Sequence, residues 1–492
     1  MRPAWLPPRG SVARALLLMA TLLVTVSCVD TRTVFQQPNL TAGVPAAARG
    51  FLGYMSNTDT ATHQTVCGNC HVERQAQWVQ SGHAHAWLTL EQNNGLQPVC
   101  EACHTVNGRG NPLADTTTVG FQATGSPRYH DVQCENCHGP GLSHVQNPTF
   151  QTAPLASINA GLNLGRGCGD CHNGTHHPFV EEWARSPHAQ VLGPPKNNPN
   201  CQGCHIAQGA LKQFNVQGRY MEQDSAPLPI TCAVCHDPHG PPASAAGTTA
   251  PIVHQLRYSI SSPDPSQNLC MRCHNRRGGP DPTSSLAGPH APQTALLLGT
   301  AGWWPPNLPT NPGSIVATHG STANPNMCAT CHVQSFAVTD SLTGTFVFQA
   351  TGHLFLAIPC LSAQGVPTPD TTCALSQRTF KACTASGCHG STQAAQSAFS
   401  VATLRIQTLN AELKALLAQV PASQLNAADS VYTVAEGAQF NSRLADMAGS
   451  VVHNPFLTEA LLTGSIIALD STYHFAAPAG VTLENIMRTY PH

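Results

Sequence analysis

One short pattern dominates the sequence. Cys-x-x-Cys-His occurs eight times, at Cys67/Cys70/His71, Cys100/Cys103/His104, Cys134/Cys137/His138 and Cys168/Cys171/His172, then at Cys201/Cys204/His205, Cys232/Cys235/His236, Cys270/Cys273/His274 and Cys328/Cys331/His332. A ninth copy has a wider gap, Cys383-x4-Cys388-His389. Zinc knuckles pair their cysteines but need no histidine after each second one. With 25 His in 492 residues, nine chance placements out of nine have a probability on the order of 10⁻¹². Covalent haem attachment accounts for the whole pattern. Two thiols about one turn apart add to the two vinyl groups of a porphyrin, and the next residue lies under the iron as its proximal ligand. The expectation is nine haem c groups at sites 1 to 9 in chain order, with His71, His104, His138, His172, His205, His236, His274, His332 and His389 proximal.

Sixteen histidines remain, more than the nine needed for a second axial ligand on every iron. An internal repeat sorts some of them. Cys67 and Cys168 are 101 residues apart, Cys100 and Cys201 also 101, and Cys134 and Cys232 are 98 apart. Trp-x-x-Ser-x-His-Ala follows the first motif of each copy and aligns His83 with His188. After the third motif, "CHGPGLSH" and "CHDPHG" put His144 and His239 in similar places.

At these residues the chain resembles the multihaem cytochrome c superfamily, which includes the tetrahaem carriers of nitrifying bacteria, the octahaem hydroxylamine oxidoreductase and tetrathionate reductase group, and the pentahaem nitrite reductases. The resemblance implies that His83, His144, His188 and His239 are distal ligands. "GPHAPQTALLLGT", the histidine upstream of "CATCH", and "TGHLF" resemble elements of large extracellular multihaem cytochromes and nominate His290, His319 and His353. "VVHNPFLTEALL" resembles a family element whose histidine ligates a haem from outside the motif-bearing part, which nominates His453. A ninth distal ligand would come from His63, His85, His130, His176, His177 or His254.

The fold expected is mainly α with extensive coil and few or no strands, organised around stacked haems. Charged residues are 10% and aromatics 6%, with 40 Gly and 40 Pro, so porphyrin plates supply the apolar core that the composition lacks. Residues 1–28 read as an export signal: Arg2, Arg9 and Arg14 precede a short apolar run ending at Ser27-Cys28, which resembles a lipoprotein signal with Cys28 lipidated. The alternative is an ordinary cleaved signal. Residues 29–60 read as a linker, 61–160 as repeat A (sites 1–3) and 161–255 as repeat B (sites 4–6). Residues 256–392 hold sites 7–9, and 393–492 form a C-terminal helical segment. There, apolar positions from Phe399 to Val420 step by three and four before Pro421. A second helix is expected from about Glu436 to Ala448 and a third capped by Asn454 ahead of Pro455, with His453 held outside both.

Cys360 and Cys373 are left over, and a disulfide is the simplest reading in an exported chain. A competing count uses Cys373 with Cys388 for site 9 and pairs Cys360 with Cys383; the shorter spacing is favoured because it matches the vinyl separation.

Net charge of −2 offers no footprint for nucleic acid. Eighteen propionates and nine ferric centres would bring the loaded protein to about −11, which favours cationic or metal-oxide partners. Three functions fit. An electron carrier would have two histidines on every iron and pass electrons to other redox proteins or extracellular acceptors. A redox enzyme of the hydroxylamine oxidoreductase, nitrite reductase or tetrathionate reductase type would keep one iron open. Against the nitrite reductases, no Cys-x-x-Cys-Lys motif is present. An extracellular filament would use a histidine of one subunit on a haem of the next. Export to the periplasm, outer membrane or cell surface fits all three.

Overall fold

A computed structural model describes residues 39–93, 96–113, 118–161, 166–240, 254–281, 288–384, 388–426 and 431–475. The export signal, Cys28 and the end of repeat B at 241–253 lie outside the described residues. The chain divides into two units, 1–42 and 43–492, and the second holds all nine motifs.

Short helices and irregular loops make up the motif-bearing part, and strand is confined to two small antiparallel pairs. Phe336–Thr339 pairs with Phe346–Ala350, and Cys360–Leu361 pairs with Pro367–Thr368. Cys360 and Cys373 are joined in a disulfide, with Cα atoms 6.1 Å apart. Among the described residues no helix is long and apolar enough to cross a membrane.

The repeat is visible in the backbone. Helices Val72–Trp78 and Phe179–Arg185 follow the first motif of each copy. The Trp78 indole donates to the Val132 carbonyl (2.9 Å) and that of Trp183 to the Ile230 carbonyl (2.8 Å). Five residues further on, the carbonyls of His83 and His188 accept from Val132 and Ile230, both at 3.1 Å. The proline-started helices Pro98–His104 and Pro199–His205 present the second motif of each copy, as first-turn proline allows.

One expectation needs correction. Residues 29–60 are not all linker: Ala48, Phe51, Leu52 and Tyr54 are fully buried, and Ala48 and Phe51 pack with Val106, Val119 and Tyr129. The physical reason is Glu135, inside the third motif. Its carboxylate accepts from the backbone N–H groups of Leu52 (2.8 Å), Gly53 (2.9 Å) and Gly141 (2.8 Å), which fixes this segment against repeat A. Burial pushes that carboxyl up to about 7. Likewise the edge expected at residue 255 is no boundary, since Leu256 and Leu269 pack with Ala207 and Leu211 of repeat B and with Ile158 at the end of repeat A.

The C-terminal part is helical. Ser391 caps Thr392–Leu417 and Thr433 closes a capping box with Glu436 on Val434–Ala445. Asn454 caps Pro455–Tyr473. Leu413, Leu462, Ile466 and Leu469 are fully buried in the cluster between them. His453 stands between these last two helices and outside both, as expected. It ends the single turn Ser450–His453, which opens on Gly449 in the left-handed region (φ 89°).

Candidate haem sites

The motif cysteines and histidines lie on single turns. Cys67–Asn69 and Cys168–Asp170 are 3-10 turns, while Cys134–His138 and Cys328–His332 are short helices. This places both thiols of a motif along one edge with the histidine one residue beyond. Among the described residues, no three His, Cys, Asp or Glu side chains gather around a point that could hold a bare metal ion.

The motif cysteines differ in exposure, and Cys70 is one of the outermost. That residue is exposed, as are Cys168 and Cys388, whereas the other motif cysteines are partly buried. The reason is local: Cys70 follows the turn Cys67–Asn69 as its C-cap, while Cys67 at the start of the turn meets a thiol of another site, Cys134.

The histidines pair instead of clustering. An iron held between two imidazoles, with Fe–N bonds of about 2 Å and a further ~1.1 Å from nitrogen to ring centre, sets the ring centroids about 6.2 Å apart. Eight pairs have that spacing. Within the repeats, His71 faces His144 (6.4 Å), His83 faces His172 (6.1 Å) and His138 faces His239 (6.2 Å). Beyond them, His188 faces His274 (6.1 Å), His205 faces His290 (6.1 Å) and His236 faces His353 (6.4 Å). Near the C-terminal helices, His319 faces His389 and His332 faces His453, both at 6.2 Å. Every pair joins one motif histidine to one of the eight distal candidates. Burial lowers the ring pKa values, to about 4 for His172, His188 and His353 and about 3 for His453. Such rings stay neutral and keep a lone pair for iron. The residues present therefore fit haem.

Residues 119–206 match the sequence profile of cytochrome c7 and related cytochrome c, and residues 66–139 that of cytochrome c554 and c-prime. The chain is a multihaem c-type cytochrome. Comparison with curated proteins and with solved structures gave no match.

The motif thiols of this cytochrome also give an order. Cys67 of site 1 and Cys134 of site 3 are neighbours, near enough for each to shift the other's proton affinity, Cys67 upward and Cys134 downward. So are Cys103 and Cys171 (sites 2 and 4), Cys168 and Cys232 (sites 4 and 6), Cys204 and Cys273 (sites 5 and 7), and Cys270 and Cys328 (sites 7 and 8). Cys137 is pushed up to about 12 by burial and by the nearby Cys168, which sets site 3 beside site 4. Cys235 raises Cys270 and Cys273, linking sites 6 and 7, and Cys331 feels Cys383 and Cys388, linking sites 8 and 9. These neighbours join site 1 to 3, 3 to 4, 2 to 4, 4 to 6, 6 to 7, 5 to 7, 7 to 8 and 8 to 9. Sites 2 and 5, joined to sites 4 and 7, are the second motifs of the two repeats.

Nδ1 hydrogen bonds turn several of the rings. Nδ1 of His138 bonds the Pro154 carbonyl (2.9 Å), that of His236 the His254 carbonyl (2.9 Å) and that of His332 the Phe355 carbonyl (2.8 Å). His104 bonds Ala86 (2.8 Å) and His319 bonds Val452 in the same way. This occupies Nδ1 and frees Nε2 for the metal. On the distal side, Glu182 is buried and holds the His353 loop, accepting from the Thr351 N–H (3.0 Å), the Thr351 hydroxyl (2.7 Å) and the His353 N–H (2.7 Å).

Two further expectations change. His144 and His239 are not equivalent, because His144 faces the first motif histidine of its repeat and His239 faces His138, the third of the preceding one. And His104 has no imidazole opposite it among the described residues. Of the six further candidates, His130 stacks on Trp87 (3.8 Å), His63 and His85 contact each other (4.7 Å), and His176 stacks on Phe346 (4.9 Å). The His254 carbonyl serves His236, and His177 lies close enough to His104 to feel its charge without facing it as a ring pair. Missing from the sequence-based account were Asp237, Glu182 and the pairing of each distal ring with its motif. The Glu182 contacts and the ring pairs join residues far apart in the chain, which no spacing encodes, whereas Asp237 stands two residues before His239 and could have been nominated from that neighbourhood.

Proposed function

We propose that this cytochrome binds nine haems and conducts electrons along them. Eight imidazole pairs at iron-spanning distance carry the reading. Haem supplies a reversible one-electron iron couple when bound. The chain supplies the rest: paired neutral imidazoles that keep the iron coordination the same in both redox states, carbonyls that fix the rings, and thiols whose neighbours set the order of transfer. Electrons would travel 1-3-4-6-7-8-9, with sites 2 and 5 as side positions where they could enter or leave. Export, a lipid anchor at Cys28, and delivery to other redox proteins or extracellular acceptors belong to the same reading.

A second reading rests on His104. With no ring opposite it among the described residues, site 2 is where an exogenous ligand could reach iron, as a redox enzyme requires. EPR of the oxidised protein tests both. Eight low-spin signals and at most one high-spin signal fit the carrier; several high-spin irons would remove it.

A further inference from the structure

Sites 3 and 8 lie on the same line of transfer, and their proximal sides match. His138 and His332 each donate Nδ1–H to a backbone carbonyl, at 2.9 and 2.8 Å. Their distal sides do not match. Nδ1 of His239 bonds the Asp237 carboxylate at 3.0 Å, and that carboxylate also accepts the His239 N–H (3.1 Å). Arg257 pairs with its other oxygen at 2.9 Å, which keeps it ionised. Nδ1 of His453 is shut off from solvent and has no hydrogen-bond partner. It lies against Gly449: a Cβ built there would come 2.6 Å from Nδ1 but 3.3 Å from Nε2, so the Nδ1 edge faces the glycine and Nε2 is the atom turned away.

These two environments act on iron in opposite directions. A carboxylate on the ring N–H gives the imidazole more anionic character, makes it a stronger donor and favours ferric iron. A ring N–H with no acceptor is the weaker donor and favours ferrous iron. Among the described residues, His239 is the one paired histidine whose ring bonds a carboxylate. We propose that the line of sites is polar: Asp237 holds site 3 at low potential through His239, the unpartnered His453 leaves site 8 at higher potential, and electrons run from the repeat-A end toward the C-terminal helices. Asp237 is a positioning and tuning residue; it does not touch the iron. The proposal rests on the carrier reading above.

The test is an EPR-monitored redox titration of the nine-haem protein and of Asp237→Asn, which keeps an acceptor oxygen but loses the charge. The expected result is an upward shift of one low-potential, low-spin component, with the others unmoved and no high-spin iron created. Asp237→Glu should keep that component low. If Asp237→Asn fails to fold, NMR of the wild-type axial rings during partial reduction gives the same answer. The His332/His453 pair should become diamagnetic while the His138/His239 pair is still paramagnetic. An unmoved component, or the reverse order of reduction, overturns the polarity. Either result in a protein whose haems stay low-spin leaves the carrier reading intact, whereas carbon monoxide binding at many haems in the same samples would remove that reading itself.

Discussion

His83 and His172 face each other across 6.1 Å, although His83 belongs to the first repeat and His172 to the second. The same crossing recurs one repeat later, where His188 faces His274. Each repeat lends a ring forward to the next, and His239 lends one back to His138. The repeats cannot separate without leaving sites incomplete. His83→Ala should therefore convert a single iron, that of site 4 in repeat B, to high spin while the protein still carries nine haems. The EPR spectrum and the intact mass check this together. Loss of a signal assigned to repeat A instead would contradict the crossing.

Glu182 gives a prediction about stability. Its removal leaves three donors in and around the His353 loop without their acceptor, two of them backbone N–H groups. Unsatisfied buried donors cost about 1–3 kcal/mol each, with partial relief by water, so Glu182→Ala should lose about 2–4 kcal/mol in denaturant unfolding. It should also alter the EPR signal of site 6, because His353 faces His236. Destabilisation with an unchanged site 6 signal would reduce Glu182 to a structural residue.

The disulfide between Cys360 and Cys373 bears on site 9. Cys373 is engaged, so it is not available to replace Cys383. Cys373→Ser should leave the haem count at nine and cost about 2–3 kcal/mol, as for a loop of this length. Cys383→Ala should lower the mass by up to one haem in a fraction of molecules. The reverse pattern of haem loss would restore the wide spacing between Cys373 and Cys388.

Where the C-terminal helices meet the residues before site 8, a Cβ on Gly437 would collide with the Trp303 indole, the nearest atom 2.1 Å away. The indole cannot retreat freely, because the Trp303 backbone is held on both sides by Asn441, at 2.8 and 2.7 Å. Gly437→Ala should destabilise the protein by about 1–3 kcal/mol, although alanine is the better helix former. A gain in melting temperature would show that the contact is looser than this packing implies.

How much of this could be read from the sequence depends on the range of each interaction. The motif turns are local, and so are the caps at Thr433 and Asn454. The amphipathic stripe from Phe399 to Val420 was also visible, but the helix begins at Thr392, where Ser391 caps it, because small residues such as Ala394 and Ala395 carry little periodic signal. Distal histidines could be nominated from local patterns such as Ser-x-His-Ala. Their partners could not, because His453 meets His332 and His83 meets His172 only through the fold. The burial of Phe51 and Leu52 was hidden for a similar reason: its cause, Glu135, lies 83 residues from Leu52.

His104 supports the last prediction. Its Nδ1 is bonded to Ala86 like the Nδ1 of other proximal rings, so its Nε2 is oriented for iron, yet no imidazole stands opposite among the described residues. The thiols of Cys103 and Cys171 tie site 2 to site 4, so an electron arriving at this branch has a short path to the main line. Carbon monoxide added to the reduced protein should perturb about one haem in nine, and the other eight should keep their low-spin spectra. His104→Ala should leave that one haem able to bind carbon monoxide but change the spectrum of its adduct, because the imidazole on the opposite face is gone, while the other eight keep theirs. If carbon monoxide has no effect on the wild-type protein, a sixth ligand reaches site 2, and His177, the histidine whose charge interaction with His104 is already evident, is the residue to replace next. Binding at several haems would instead mean that the 6.1–6.4 Å pairs do not hold their irons closed.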